Sequence, residues 1–330
     1  MAAPDRVMMD SFGRVVRDLR VSVTDRCNFR CLYCMPEDGL PWLGAADVLT
    51  QDELIRALRV AIGLGVRTVR ITGGEPTLRR DLVDVVAALA PLGVELSLTT
   101  NGYLMDRLAV PLRQAGLARV NVSLDSLRRD RFREITRRDG LDRVLRGIDA
   151  SLAAGLRPVK INAVVVRGFN DDEVVPMARW ARDLGVELRF IEFMPLDAPG
   201  EWTREQVVPA GEILTRLDEQ LGLEAPDPRG SAPAERYRYR DGRGAVGIIA
   251  SVTRAFCAQC DRIRLTADGQ VRTCLFATTE YDLLAPLRSG ATDEEIARCY
   301  LDAVARKQRG HRINEPDFVQ PSRGMSQIGG

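Results

Sequence analysis

From residue 18 to about residue 193, short apolar runs alternate with longer stretches in which apolar residues recur every three or four positions. The short runs predict strands at Leu19–Val23, Val66–Ile71, Glu95–Thr99, Arg119–Ser123, Val159–Val166 and Glu187–Glu192. The amphipathic stretches predict helices at Gln51–Leu64, Arg80–Leu92, Leu104–Ala115, Leu141–Ala154 and Asp172–Leu184. Gly65, Gly93, Gly116, Gly155 and Gly185 stand between a helix and the next strand, where a left-handed residue closes a helix. Repeated strand–helix units imply parallel strands joined by right-handed crossovers. Six units are fewer than the eight of a closed barrel. The expected fold class is therefore α/β, an incomplete (β/α)6 TIM-like barrel with one open side.

The second half of the chain breaks this rhythm and is expected to cover that side as a C-terminal α+β extension. It predicts a helix at Gly211–Leu221, a Pro/Gly-rich linker at Ala225–Pro233, and short strands at Arg236–Arg240, Ala245–Ile249, Arg262–Leu265 and Val271–Thr273. Helical stretches follow near Asp282–Leu287 and Asp293–Arg306. The expected division is residues 1–200 for the barrel and 201–330 for the extension.

With 45% hydrophobic residues in 330, the chain can bury a sizeable core, and a formal net charge of +1 supplies no global field for nucleic acid or membrane. Charged residues between positions 5 and 20 argue against a secretory signal, and the most apolar stretch, residues 82–100, is broken by Asp84, Pro91, Gly93 and Glu95. A cytoplasmic enzyme is expected, with no nucleic-acid or membrane partner. His311 is the one histidine, which removes multi-histidine metal sites and most histidine-assisted nucleophilic schemes. The chemistry is then expected from a cofactor. Lys160 and Lys307 are the two lysines among 47 basic residues.

Six of the seven cysteines form two triplets, Cys27-x3-Cys31-x2-Cys34 and Cys257-x2-Cys260-x13-Cys274. In a chain of this character cysteines read as metal ligands before disulfides. A structural zinc site closes with four ligands, whereas three thiolates from a short loop suit an iron–sulfur cluster with one iron left open. The first triplet directly follows the first strand, at the carboxyl end of a parallel sheet, where α/β enzymes place their sites. Cys299 matches no cluster position and reads as a structural thiol in a helix.

The first triplet, with Tyr33 before its last cysteine, resembles the motif of the radical S-adenosylmethionine (SAM) superfamily. That resemblance implies a 4Fe-4S cluster on Cys27, Cys31 and Cys34 whose open iron is chelated by SAM, the source of a 5′-deoxyadenosyl radical. It also implies SAM contacts from Tyr33, from Gly74 in Thr72-Gly73-Gly74-Glu75-Pro76, from Ser123 in NVSLD and from Met194 in IEFMP. Taken singly these are ordinary features: a turn, a strand-end serine, a core methionine. Paired glycines do let backbone approach a ligand closely.

The second triplet, FCAQCDRIRLTADGQVRTCLF, together with RITGGEPTLRRDL, LTTNG, RVNVSLDSL, RFIEFMPL and the terminal Ile328-Gly329-Gly330, resembles the GTP 3′,8-cyclase family of molybdenum-cofactor biosynthesis, over nearly the whole chain. The resemblance implies a second 4Fe-4S cluster on Cys257, Cys260 and Cys274, with GTP at its open iron. GTP contacts are implied for Arg20, Arg70, Thr99, Lys160, Arg262 and Arg264, and a catalytic role for Arg262, Arg264, Gly329 and Gly330. The implied reaction is cyclisation of GTP to (8S)-3′,8-cyclo-7,8-dihydroguanosine 5′-triphosphate. Implied partners are an electron donor such as flavodoxin or ferredoxin, the downstream cyclic pyranopterin monophosphate synthase, and a second copy of the chain as a homodimer. From the residues themselves, Arg262 and Arg264 share a strand face at period two, and guanidinium forks suit phosphate and purine edges. No GxxxxGK[ST] occurs, which disfavours an ordinary GTPase. Two other readings stay open: a radical SAM peptide- or metabolite-modifying enzyme with an auxiliary cluster, and a non-catalytic iron–sulfur electron carrier or redox sensor.

Overall fold

The computed structural model describes residues 6–196 and 202–329. The six predicted strands of the first half are present as β1 (Asp18–Ser22), β2 (Thr68–Thr72), β3 (Glu95–Thr100), β4 (Arg119–Ser123), β5 (Val159–Val165) and β6 (Glu187–Glu192). They lie in sequence order and pair in parallel throughout. Between them run α1 (Gln51–Gly63), α2 (Leu82–Leu89), α3 (Met105–Gln114), α4 (Arg129–Thr136), α5 (Leu141–Ala153) and α6 (Val174–Leu184). The five predicted closing glycines all adopt positive φ. Helix α4 was not expected. Its RDRFREIT sequence is polar apart from Phe132 and Ile135, so its apolar stripe is too thin to read as periodicity, yet both residues are buried.

The second half contributes α7 (Ala210–Leu221), β7 (Leu223–Pro226), β8 (Glu235–Tyr239), β9 (Ala245–Ile249), β10 (Arg262–Leu265), β11 (Gln270–Arg272) and β12 (Tyr281–Asp282). Then come α8 (Leu284–Arg288), α9 (Asp293–Ala305) and the short α10 (Met325–Ile328). Part of the expected linker is therefore strand β7, and the expected helix at Asp282 begins two residues later, after an edge strand.

The extension does more than cover the barrel. β9 pairs in parallel with β6, and β10 pairs in parallel with β1, so both edges of the six-stranded sheet are continued by strands from the second half. Eight consecutive strands are parallel, and the antiparallel pairs β8–β7 and β11–β12 flank them. The apolar core runs without interruption from Leu19 and Leu98 to Val246, Leu265 and Val304. A smaller cluster of Leu196, Val207, Val252, Phe276, Ile313 and Ile328 lies near the carboxyl ends of the strands.

Buried carboxylates fix the loops at that end. Glu192, 0% exposed at the end of β6, accepts from the N–H groups of Ala210, Val252 and Thr253 at 2.8, 2.7 and 2.8 Å, tying the start of α7 and the loop after β9 to the barrel. Glu75 likewise accepts from Thr77 N, Thr100 Oγ1 and Asn101 N, joining the loops after β2 and β3. A buried carboxylate is tolerable when its lone pairs are filled in this way.

Candidate active site

Inward-facing residues near the carboxyl ends of the strands line a cavity of about 230 Å³. Arg20, Arg70, Thr99, Ser123, Met194, Arg262 and Arg264, all singled out in the sequence, line it, together with Cys257, Cys260 and Cys274. Strand register explains the grouping. Arg20 on β1 stands opposite Arg264 on β10 and Arg70 on β2, so three guanidiniums lie side by side across adjacent strands. Arg189 and Arg262 add to them from β6 and β10.

Such a row is unfavourable by itself. Arg20 Nε and Arg70 Nε are buried without a hydrogen-bond partner. Burial, reinforced by Arg20, pushes Arg70 down to about 9, and burial with the neighbouring arginines holds Arg264 well below the usual range. A buried charge without counter-charge costs several kcal/mol unless a ligand supplies one. Arg262 is better settled, donating to Ser231 O at 2.6 Å with its guanidinium over the Phe256 ring.

Two contacts read in the sequence do not line the cavity. Lys160 lies on the same face of β5 but is engaged with Glu187 at 3.4 Å; burial and nearby Arg189 push it down to about 8. Gly74 faces the chain rather than the cavity. A Cβ on it would sit 2.3 Å from Asp25 O and 2.5 Å from Arg26 O, and its N–H donates to Thr24 O at 2.8 Å. The paired glycines thus admit the loop that leads into Cys27.

The first triplet occupies the loop after β1. Cys27, Cys31 and Cys34 are half-buried free thiols, backed by Phe29, which packs edge-on against Tyr103 and Phe132. Tyr33 lies between the main cavity and a smaller one lined by Cys31, Asn101 and Phe132, and its hydroxyl donates to Asp125 Oδ2 at 2.6 Å. Burial raises Asp125 to about 6 despite hydrogen bonds from Tyr33 and Val164 N. Asp125, Asn162, Arg189 and His311 line the cavity although the sequence reading passed over them. Asp125 stands two residues from Ser123 and Asn162 two from Lys160, the signal that period two would have supplied, whereas Arg189 has no such neighbour.

The two triplets differ electrostatically. Burial pushes Cys27 up to about 12, outweighing nearby Arg30, and Cys34 up to about 11. In the second set burial opposes ionisation of Cys260, but Arg262, Lys307 and the Arg262 N–H outweigh it and hold the thiol below its ordinary range. Among the described residues no three Cys, His, Asp or Glu side chains surround a single ion. In a four-iron cluster each thiolate serves its own iron, so convergence on one point is not needed. Both donor sets, three free thiols each, fit such clusters; the second set lines the main cavity, and Cys31 of the first lines the smaller one.

The C-terminal tail closes one wall. Met325 lines the cavity, the Ser326 N–H donates to the Cys34 thiol, and Arg264 donates to Gly329 O. Gly329 has φ +85°, and a Cβ there would lie 2.3 Å from Ser22 Oγ, so glycine is required on both counts. Gly330 lies outside the described residues.

An open-sided barrel with a three-cysteine loop after its first strand is the architecture of radical SAM enzymes, and residues 21–181 match the Radical SAM superfamily model. The fold resembles that of Streptococcus suis SuiB bound to S-adenosylmethionine (TM-score 0.62, 15% identity, 94% of this chain and 77% of that one). It also resembles anSMEcpe with bound AdoMet (TM-score 0.58, 14% identity, covering 90% and 79%). Residues 186–313 match the Molybdenum Cofactor Synthesis C model. The chain is 56% identical to GTP 3′,8-cyclase of Streptomyces coelicolor over 98% of its own length and 96% of that protein's. It is 49% identical to that of Corynebacterium glutamicum (99% and 90%) and 51% identical to that of Mycolicibacterium smegmatis (100% and 93%). The chain belongs to the GTP 3′,8-cyclase family, a radical SAM family that carries 4Fe-4S clusters and acts in the first step of molybdenum-cofactor biosynthesis.

Proposed function

We propose that the arginine-lined cavity holds GTP for its 3′,8-cyclisation, with its triphosphate among Arg20, Arg70 and Arg264 and its base toward Cys257, Cys260 and Cys274. The observation that carries this reading is the row of three in-register guanidiniums, two with orphaned Nε atoms, beside three free thiols. A triphosphate supplies the counter-charge that the row lacks, through charge-assisted forks. Arg262, fixed between Ser231 O and Phe256, is suited to the purine edge. Thr99 and Arg189 complete the polar wall, Lys160 reaches GTP by leaving its ion pair with Glu187, and the apolar residues Ile191, Ile249, Ile263 and Leu275 keep water from the reacting carbons.

Cys27, Cys31 and Cys34 would hold the other cluster, with SAM contacted by Tyr33, Gly74, Ser123 and Met194. With SAM on its open iron this cluster supplies the 5′-deoxyadenosyl radical. Asp125 holds the Tyr33 hydroxyl and so fixes the wall between the two guests. The Gly329 carbonyl orients Arg264, and the catalytic set is Arg262, Arg264, Gly329 and Gly330. Residues 1–200 serve as the radical SAM partial barrel and 201–330 as the C-terminal auxiliary-cluster and GTP-binding domain. Residence in the cytoplasm, a flavodoxin or ferredoxin as electron donor, cyclic pyranopterin monophosphate synthase as the next enzyme and a homodimer complete the reading. No helix among the described residues is long and apolar enough to cross a membrane.

Anaerobic reconstitution with SAM, dithionite and GTP tests it. Deoxyadenosine formation that requires GTP is expected. SAM cleavage indifferent to GTP, or unchanged GTP affinity in Arg20→Met and Arg264→Met, would refute the assignment.

A further inference from the structure

Lys307, two residues beyond the end of α9, is 3% exposed. Its Nζ donates to Arg262 O at 2.7 Å and Thr273 O at 2.5 Å, and lies 3.8 Å from Cys260 Sγ. An ammonium carries three donors and no acceptor, and the three neighbours are all acceptors, which is the arrangement of a charged lysine. The two carbonyls are not arbitrary. Arg262 follows Cys260 by two residues, and Thr273 immediately precedes Cys274. One side chain therefore staples two of the three thiol-bearing segments and directs its charge at a ligating sulfur.

The same stretch of chain secures the third segment. Arg14 Nη1 donates both to Cys257 O and to Arg309 O at 2.7 Å, and its Nη2 donates to Gln308 O at 2.6 Å. Gly310 packs so closely that a Cβ on it would lie 2.9 Å from Cys257 Cβ and 3.2 Å from Cys257 Sγ. The His311 N–H donates to the Cys257 thiol. Residues 307–311 thus form a strap along all three ligands of the second triplet.

We propose that Lys307 is a positioning residue for the second cluster: its ammonium holds the Cys260 and Cys274 segments together and raises the cluster's reduction potential. Each electron added to a cluster adds negative charge, and a fixed cation beside a ligating sulfur favours the reduced form. The step is a one-electron reduction with no bond made or broken, the electron coming from a one-electron donor such as dithionite. The inference rests on the reading that Cys257, Cys260 and Cys274 hold a cluster.

The test is an EPR-monitored anaerobic redox titration of the reconstituted full chain, with iron and sulfide counts, in a Cys31→Ala background so that the second cluster alone reports. Lys307→Gln, which keeps two donors without charge, and Lys307→Met are compared with Lys307→Arg. In the neutral variants the reduced-to-oxidised ratio at the parent midpoint is expected to fall at least tenfold, a shift of about 59 mV for one electron, while Lys307→Arg stays near the parent. Neutral variants that load the cluster and titrate at the parent potential would overturn the proposal. Should neutral variants fail to load iron, loading restored by Lys307→Arg supports the cation's role, and failure of Lys307→Arg as well overturns it. A parent protein with no cluster on this triplet would instead defeat the reading beneath it.

Discussion

Replacing Arg70 by methionine separates a ligand-binding charge from a structural one. Arg70 is flanked by Arg20, its Nε has no partner, and burial first, then Arg20, pull it well below the free guanidinium to about 9. At 1.36 kcal/mol per tenfold change in proton affinity, that depression corresponds to about 5 kcal/mol of charging free energy that the ligand-free fold does not recover. The folded-state value of this base is lowered, so the penalty is full wherever the group is charged in both states, which is everywhere below about pH 9. Solvent relaxation reduces the figure, and methionine gives up some of the arginine's packing, leaving a net gain of about 1–3 kcal/mol. Arg70→Met should therefore raise the ligand-free protein's stability in anaerobic denaturant titrations, equally between about pH 6 and pH 8. The same substitution should weaken GTP by about 2 kcal/mol or more, roughly 30-fold, in equilibrium binding without SAM. A destabilised protein with unchanged GTP affinity would refute the reasoning, because it would make Arg70 a structural residue.

Asp125→Asn should alter the pH profile of stability. The folded-state value of Asp125 is about 6, above the free carboxyl's 3.8, so the native protein binds the proton more tightly and wild-type stability falls, relative to the variant, as pH rises from about 4 through about 6. That relative loss is about 3 kcal/mol, read from urea midpoints at several pH values, and a flat difference would count against it. Gly74→Ala drives a Cβ to 2.3 Å from Asp25 O and should cost about 3 kcal/mol while lowering iron loading at the first triplet, checked by unfolding and iron count. Gly329→Ala meets Ser22 Oγ and an unfavourable φ together; the tail should leave the cavity, and turnover with GTP should fall with little change in global stability. Cys31→Ala and Cys274→Ala should each leave one cluster, halving the iron content relative to the parent.

Much of this was legible along the chain. Strand and helix periodicity located β1–β6 and five of their helices, because burial on one face leaves a local imprint. The two cysteine triplets were equally local, since a loop that wraps a cluster has its ligands at fixed spacing. What escaped was whatever depends on pairing between distant segments. The sequence reading put six strands in the barrel, but β9 and β10, from the second half, join its two edges as seventh and eighth parallel strands. The close packing of the Gly74 loop against Asp25 and the ion pair of Lys160 with Glu187 are likewise contacts between distant segments.

The sequence by itself thus determined the donor sets, the strand–helix rhythm and the family to which the chain belongs, all properties of residue type and spacing. Tertiary structure decided the site. Strand register aligned Arg264, Arg20 and Arg70 from opposite ends of the chain, and the fold of the extension brought Lys307 to Cys260 and Gly329 to Arg264. Hydrogen-bond register and the burial of unlike segments against one another are non-local, and no spacing along the chain records them.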